Sequence, residues 1–316
     1  MKILGIESSC DETAASVVEN GTAVLSDVIS SSKDLHEVTG GIVPEVAARK
    51  QLEYVVPVIS QALAKASLKP AELDAVAVTI GPGLIGSLLV GVAAAKTLAL
   101  AWEKPLVPVN HLVGHIYANF VNYSADIKFP AVVLLVSGGH TDLVLMKDHG
   151  FFDYIGGTLD DAAGEAFDKT ARLLGLAKYL GGVKLSQTAA LCVDNKLKNT
   201  LPRPMLREAG FDFSFSGLKT AVKRLVEKNT GTAEEVARDF EDAVVDVLVR
   251  KTVKAAQEYK AVSVLMAGGV SANETLRERM KETVQKIGAD FFVPEPKLCT
   301  DNAVCIASAA HFNYKP

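Results

Sequence analysis

One short unit occurs twice in this 316-residue sequence, and its repetition narrows the choice of fold more than any other pattern. Lys2 to Glu7 reads as a buried strand, a polar SerSerCysAspGlu turn follows at 8–12, and Thr13 to Val18 returns as a strand of small and branched residues. Far downstream the device recurs: Ala131 to Val136 is an apolar strand, Ser137, Gly138, Gly139 and His140 form a tight turn, and Thr141 to Met146 returns. Each hairpin is followed by helical periodicity, clearest over Val43 to Ser67 and Asp161 to Leu174. A strand at Asp74 to Thr79 then runs into GlyProGlyLeuIleGly, and one at Ser263 to Met266 runs into AlaGlyGlyValSerAlaAsn. In both places glycines open a turn ahead of a helix, whose first N–H groups can face an anion.

The repetition implies a duplicated α/β fold of two similar lobes with a cleft between them. The boundary falls at residues 126–130, which gives a first lobe 1–125 carrying paired histidines and a second lobe 126–316 carrying the glycine turns. The last helix can pack back on the first lobe. A hydrophobic content of 49 % supplies two cores and excludes disorder. The net charge of −4 excludes a chain basic throughout but leaves room for a local basic patch. Cys10, Cys192, Cys299 and Cys305 have neither CxxC pairs nor regular spacing, which fits reduced thiols in a cytoplasm. The most apolar stretch, Leu84 to Ala101, carries Lys96 and five alanines within the strand–helix alternation, and reads as a buried helix with no membrane role.

His111 and His115 are spaced i, i+4, which puts two imidazoles on one helix face at a separation that suits one metal ion. Two polar residues at a helix start would have the same spacing. Asp301 is the candidate third ligand, because two histidines and one carboxylate leave positions open for substrate, although an aspartate there is equally suited to cap the last helix. A zincin protease would need a glutamate beside the first histidine, where Leu112 stands. Asp11 and Glu12 at the first hairpin tip can hold a metal through water, take a proton, or solvate the turn. Gly138, Gly139, Gly268 and Gly269 offer two backbone approaches to a nucleotide, with Asn273 either reading a ribose or base or capping a helix. Most of Asp160, Asp161, Glu165 and Asp168 will favour the helix dipole or face water. Arg203 and Arg207 fall in a region, Lys196 to Gly210, expected to be irregular, while Lys219, Lys223, Arg224 and Lys228 recur along a predicted helix; a solvated face is the default reading, and such a stripe also permits RNA contact.

Nine strings in order then carry a resemblance: GIESSCDET (5–13), GGIVPEVAAR (40–49), GPGLIGSLLVG (81–91), HLVGH (111–115), LVSGGHT (135–141), DDAAGEAFDKTARLLGL (160–176), FSFSGLKTAV (213–222), AGGVSAN (267–273) and CTDNA (299–303). The chain resembles the bacterial TsaD family of tRNA N6-adenosine threonylcarbamoyltransferases over nearly its whole length. The resemblance implies the fold shared by actin, Hsp70 and sugar kinases. It implies transfer of a threonylcarbamoyl group from threonylcarbamoyl-AMP to the adenosine 3′ of the anticodon in tRNAs reading codons that begin with A. It also implies an iron or zinc ion on His111, His115 and Asp301, with the adenylate or an ATP- or AMP-type nucleotide on Leu135, Val136, Ser137, Gly138, Gly139, Asp168, Gly182 and Asn273. The implied partners are tRNA, a TsaB-like paralogue and a TsaE-like ATPase, downstream of a TsaC-like adenylate synthase. An ATPase or kinase of the same fold, or a non-catalytic nucleotide-binding scaffold, are the alternatives. One block departs from the family: it reads TyrProGlyGlyPro where this chain has Tyr179, Leu180, Gly181, Gly182 and Val183.

Overall fold

The computed structural model describes residues 1–32 and 41–314; Gly40, which opens the GGIVPEVAAR string, lies outside the described residues. The chain divides into two compact units, one of residues 1–127 with 294–316 and one of residues 128–293.

The first unit is built on five strands: β1 (Lys2–Glu7), β2 (Glu12–Glu19), β3 (Ala23–Ser31), β4 (Ala75–Gly81) and β5 (Leu106–Asn110), ordered β3-β2-β1-β4-β5. β1 and β2 form the expected antiparallel hairpin, while β4 adds parallel to β1 and β5 parallel to β4. The central strand reads as an unbroken apolar run because both of its faces are covered. Leu4 and Ile6 pack with Val55, Val58 and Ile59 of helix α1 (Pro44–Ala66). On the other face Gly5 lies against Ala303 and Ala307 of the final helix, so close that any Cβ there would collide with backbone.

Helix α2 (Ile85–Ala101) packs beside α1, with Gly86 near Ala48, and buries Val90, Gly91, Ala95 and Ala99, but Ile85, Leu89 and Leu100 are exposed. The expectation of a buried helix therefore holds for one side only and is corrected for the other. The small residues Gly91 and Ser87 bring one side close to the sheet, and the bulky apolar residues fall on the side that the unit leaves open. No described helix is long and apolar enough to cross a membrane.

The second unit repeats the plan. Its strands are β6 (Ala131–Val136), β7 (Thr141–Asp148), β8 (Phe151–Gly157), β9 (Ser263–Ala267) and β10 (Asp290–Phe292), ordered β10-β9-β6-β7-β8. Again the first two strands pair antiparallel, and the later ones add parallel on the other side of the first. Between β8 and β9 lie α4 (Ala163–Leu173), α5 (Gly182–Ala190), α6 (Ser216–Glu227) and α7 (Ala233–Glu258). Helix α8 (Glu274–Lys286) follows β9. Residues 191–215 form no helix or strand, a stretch that contains the charge- and proline-rich segment Lys196 to Gly210 expected to be irregular.

Candidate metal centre and phosphate-facing turns

Helix α3 (His111–Tyr123) starts at the end of β5, and Asn110 caps it by accepting from the N–H groups of Leu112 (2.9 Å) and Val113 (3.3 Å). Capping from outside the helix leaves His111 free in the first turn, one turn before His115. The two rings stand edge to face with centroids 4.6 Å apart. Asp301 reaches them from the other end of the sequence, just ahead of helix α10 (Ala303–Asn313). The alternative of a capping aspartate is settled by its neighbour: Asn302 takes the cap, accepting from Cys305 N–H at 3.0 Å, so the Asp301 carboxylate is spared for other use. Gly114 permits the approach of the two helices, because a Cβ there would lie 2.6 Å from Ile306 Cδ1.

Asp301 Oδ1 lies 3.6 Å from His111 Nε2 and 3.4 Å from His115 Nε2. Three donors arranged tetrahedrally at metal–ligand distances of 2.0–2.2 Å are separated by about 3.3–3.6 Å, so both spacings suit one ion held at a common point. His115 is 3 % exposed, and its Nδ1 has no hydrogen-bond partner among the described residues. Two imidazole Nε2 atoms facing one carboxylate oxygen, one of the rings buried, are a donor set that one cation would complete. The residues present fit such a group.

Sequence reasoning missed the residue that organises this triad. Glu7, at the end of β1, is 1 % exposed. Its Oε1 accepts from Ser9 N–H at 2.5 Å, and its Oε2 accepts from Thr79 Oγ1 at 2.5 Å and lies 3.1 Å from His111 Nδ1. A carboxylate on Nδ1 holds a proton there and turns Nε2, the nitrogen a metal would take, toward Asp301, which is how metal-binding histidines are normally oriented. Without a metal, burial pushes the His111 pKa down, but the charge and hydrogen bond of Glu7 outweigh it and raise it to about 9. Burial likewise opposes ionisation of Glu7, and the His111 charge and hydrogen bond hold its pKa below the ordinary value. The one signal available was a glutamate closing an otherwise apolar strand.

Asp11 and Glu12 are buried at 7 % and 5 % exposure, and with Asp301 they offer three carboxylate oxygens all within 4.8 Å of one another. Asp11 Oδ2 has no hydrogen-bond partner among the described residues. The hairpin tip is thus built inward, against the triad, and a merely solvated turn is excluded.

In the second unit, Leu135 and Val136 are buried in the β6 ladder, so what they contribute is the placement of the turn that follows. That turn closes on itself through Ser137 N–H to the His140 carbonyl (2.8 Å) and His140 N–H to Ser137 Oγ (3.2 Å). Gly138 and Gly139 are exposed, and a Cβ built on either meets nothing within 4 Å. Two other glycines wedge the turn from below. A Cβ on Gly164, in the first turn of α4, would lie 2.5 Å from the Ser137 carbonyl, and one on Gly268, at φ +89°, 2.5 Å from the Val136 carbonyl. Open backbone above and forbidden side chains below leave a shallow seat of peptide groups.

Asp168 lies on α4 and accepts from Gly182 N–H at 2.9 Å, which pins the first residue of α5; burial raises the Asp168 pKa. The neighbouring Leu180 adopts φ +47°, a conformation closed to proline. Asn273 caps α8 by accepting from Leu276 N–H (2.7 Å) and donates to Ser186 Oγ (2.9 Å) and Glu241 Oε1 (2.7 Å). Its amide hydrogens are both engaged inside the unit. Asp160 is exposed and also clamps the FSFSGLK segment: it accepts from Ser214 Oγ and Ser216 Oγ, both at 2.6 Å, and from the N–H groups of Phe215 (2.7 Å) and Ser216 (3.2 Å).

Comparison with known proteins follows the same lines. The family model for TsaD, tRNA N6-adenosine threonylcarbamoyltransferase, matches residues 23–308. A tRNA N6-adenosine threonylcarbamoyltransferase of Syntrophomonas wolfei is 50 % identical over 316 residues, covering 99 % of this chain and 92 % of its own. Among solved structures, component A of the (R)-2-hydroxyglutaryl-CoA dehydratase of Acidaminococcus fermentans superposes with a TM-score of 0.58 at 14 % identity, covering 98 % of both chains. A ROK hexokinase of Thermus thermophilus gives 0.52 at 16 % identity over 98 % of this chain and 97 % of its own. These two likenesses concern the fold alone, which is the duplicated one of actin and the sugar kinases.

Proposed function

This chain belongs to the TsaD family of tRNA N6-adenosine threonylcarbamoyltransferases, and from that premise we propose that it transfers the threonylcarbamoyl group of threonylcarbamoyl-AMP to N6 of the adenosine 3′ of the anticodon in tRNAs reading codons that begin with adenine. The N6 amine attacks the carbamoyl carbon, a C–N bond forms, the bond to the phosphate oxygen breaks, and AMP leaves while the amine sheds a proton. That amine is a weak nucleophile because its lone pair is delocalised into the ring, so the enzyme must stabilise charge on the carbonyl and the departing phosphate.

His111, His115 and Asp301 would hold an iron or zinc ion, and when bound it supplies Lewis acidity toward an oxygen of the adenylate. Glu7 keeps the proton on His111 Nδ1 and so fixes which nitrogen is bare. Asp11 or Glu12 takes the proton from the amine, in keeping with the burial of both and the open oxygen on Asp11. The peptide groups of Ser137, Gly138 and Gly139 receive the phosphate, and Asp168, Gly182 and Asn273 brace the helices beside that turn. The observation that carries the reading is the convergence of the triad on one point, with Glu7 behind it, in a chain of this family.

A TsaB-like paralogue and a TsaE-like ATPase would complete the system, with the adenylate made by a TsaC-like enzyme, all in the cytoplasm where tRNA is processed. Leu52 and Val56 on α1 and Ile85, Leu89 and Leu100 on α2 are exposed apolar side chains of the kind a paralogue would cover. Mixing defined components and measuring modified adenosine by mass spectrometry tests the whole. Omission of this chain, or His111→Ala in a folded protein, is expected to abolish product; unchanged product with His111→Ala would overturn the metal role.

A further inference from the structure

The second unit contains a basic pocket that no residue discussed above explains. It encloses about 700 Å³ between the irregular segment around 199–210 and the outer face of α7. Its far wall is held rigidly. Asp239, fully buried, accepts from Asn199 N–H (2.8 Å) and Leu201 N–H (2.7 Å), and Arg203 bonds the Leu201 carbonyl (2.7 Å) and Asp246 (3.2 Å). Arg279 makes a second bond to Asp246 at 3.2 Å, so the acid at the pocket floor is already satisfied.

The other cations are not. Arg207, Arg250 and Lys254 are exposed and form no ion pair among the described residues. Lys251 is 3 % exposed and lines the same space, yet its Nζ has no hydrogen-bond partner among the described residues. Burial, with Lys254 beside it, pushes the Lys251 pKa down against the weaker opposing charges of Glu208 and Asp212. A buried ammonium with no acceptor costs the fold free energy that an entering anion would return. Five cationic and two acidic side chains line the pocket, a surplus of three positive charges. Its lining has no aromatic residue, and the nearest rings, Phe211 and Phe213, are buried beneath Lys254 and Lys251, 5.4 and 6.0 Å from their centroids. With no face on which a base can stack, the pocket is built for phosphate and not for nucleobase.

We propose that this pocket, formed by Arg207, Arg250, Lys251 and Lys254, is a second contact for the substrate RNA, gripping its phosphodiester backbone without reading sequence. The proposal rests on the tRNA-directed reading above and adds an anchor remote in sequence from the triad. Because backbone contacts release counterions, each one lost reduces the salt dependence of binding by about 0.7–0.9 in the log–log slope.

The test uses the full chain with Arg250→Ala and Lys254→Ala combined, and a charge-keeping Arg250→Lys, Lys254→Arg pair as the rescue. In the reconstituted transfer assay the alanine pair is expected to raise the KM for tRNA roughly tenfold, with kcat within about twofold and the salt slope of kcat/KM shallower by about 1.5. The rescue pair is expected to restore KM. Direct binding of fluorescein-labelled tRNA to the same proteins reads the pocket even where no transfer occurs, so a failed family assignment is distinguishable from a failed pocket. Unchanged tRNA binding and salt slope in the alanine pair would overturn the proposal. So would a raised KM for threonylcarbamoyl-AMP with tRNA unaffected, which would make the pocket a mononucleotide site.

Discussion

Replacing Glu7 by Gln probes the metal centre at the residue that steadies it without touching an ion. The carboxylate accepts Ser9 N–H on Oε1 and faces Thr79 Oγ1 and His111 Nδ1 through Oε2. A glutamine amide has one accepting oxygen. With that oxygen at the Oε1 position, its NH2 confronts His111 Nδ1 and drives the histidine proton to Nε2, where the metal would bind. Turned the other way, the NH2 meets the Ser9 N–H and leaves a buried donor unmatched, at a cost of about 1–3 kcal/mol. Loss of such an outer partner lowers metal affinity by about 10–100-fold.

A second effect has the opposite sign. His111 in the metal-free protein holds its proton up to about pH 9, against an ordinary 6.5. At pH 7 a metal must displace that proton across 9 − 7 = 2 pH units, about a 100-fold penalty that the Gln variant escapes. The two effects oppose each other at pH 7, and only the loss survives once the pH exceeds about 9. Chelator-competition titrations across this range are the assay. Wild-type affinity is expected to climb about tenfold per pH unit up to about 9, while the variant levels off in the ordinary histidine range and ends about 10–100-fold lower. A Gln variant that climbs in parallel with the wild type to pH 9 would refute Glu7 as the group that governs the His111 proton.

The same linkage makes the metal-free fold lose stability as pH rises. A raised histidine pKa contributes fully below 6.5 and is lost through about 9, which denaturant titration of chelator-treated protein will register. Gly268→Ala, at φ +89° and facing the Val136 carbonyl, is expected to cost roughly 2–4 kcal/mol and lower the melting temperature. Asp160→Ala removes four bonds to the segment ahead of α6 and is expected to cost about 1–2 kcal/mol by the same measurement. Burial alone would raise the Asp160 pKa, but Ser214, Ser216 and Phe215 hold it below 3.8, so its contribution is present above that pH and fades in more acidic solution. Restoring the family proline with Leu180→Pro is expected to destabilise by more than about 1 kcal/mol, since φ +47° is closed to the ring; an unchanged melting temperature would contradict the described turn.

The parts of this molecule that were legible in the sequence are those set by local chemistry. Apolar runs broken by Gly or short polar turns gave both hairpins, because strand burial and turn residues act over a few positions. The i, i+4 histidines were visible for the same reason. What stayed hidden depends on long-range partners. Glu7 looks like the end of a strand until Thr79 and His111 are brought to it from 72 and 104 positions away. Asp160 looks like a helix-start acid until Ser214 to Ser216 fold onto it. Asp301 and Asn302 are both able to cap, and only the backbone path decides which one does. Helix α2 was misjudged because composition reports how apolar a helix is and not whether a second surface is present to cover it.

The first unit draws its closing helix and Asp301 from the far end of the chain, which gives its assembly a timetable. The ribosome must add 186 further residues after His115 before Asp301 exists. At about 5–20 residues per second, that is an interval of roughly 10–40 seconds. During it the nascent unit has two histidines but no third ligand, and β1 lacks the helix that shelters Gly5. The candidate ligand set is therefore complete only once Asp301 has been made, and a product truncated ahead of it would carry an open sheet face and two histidines without the carboxylate.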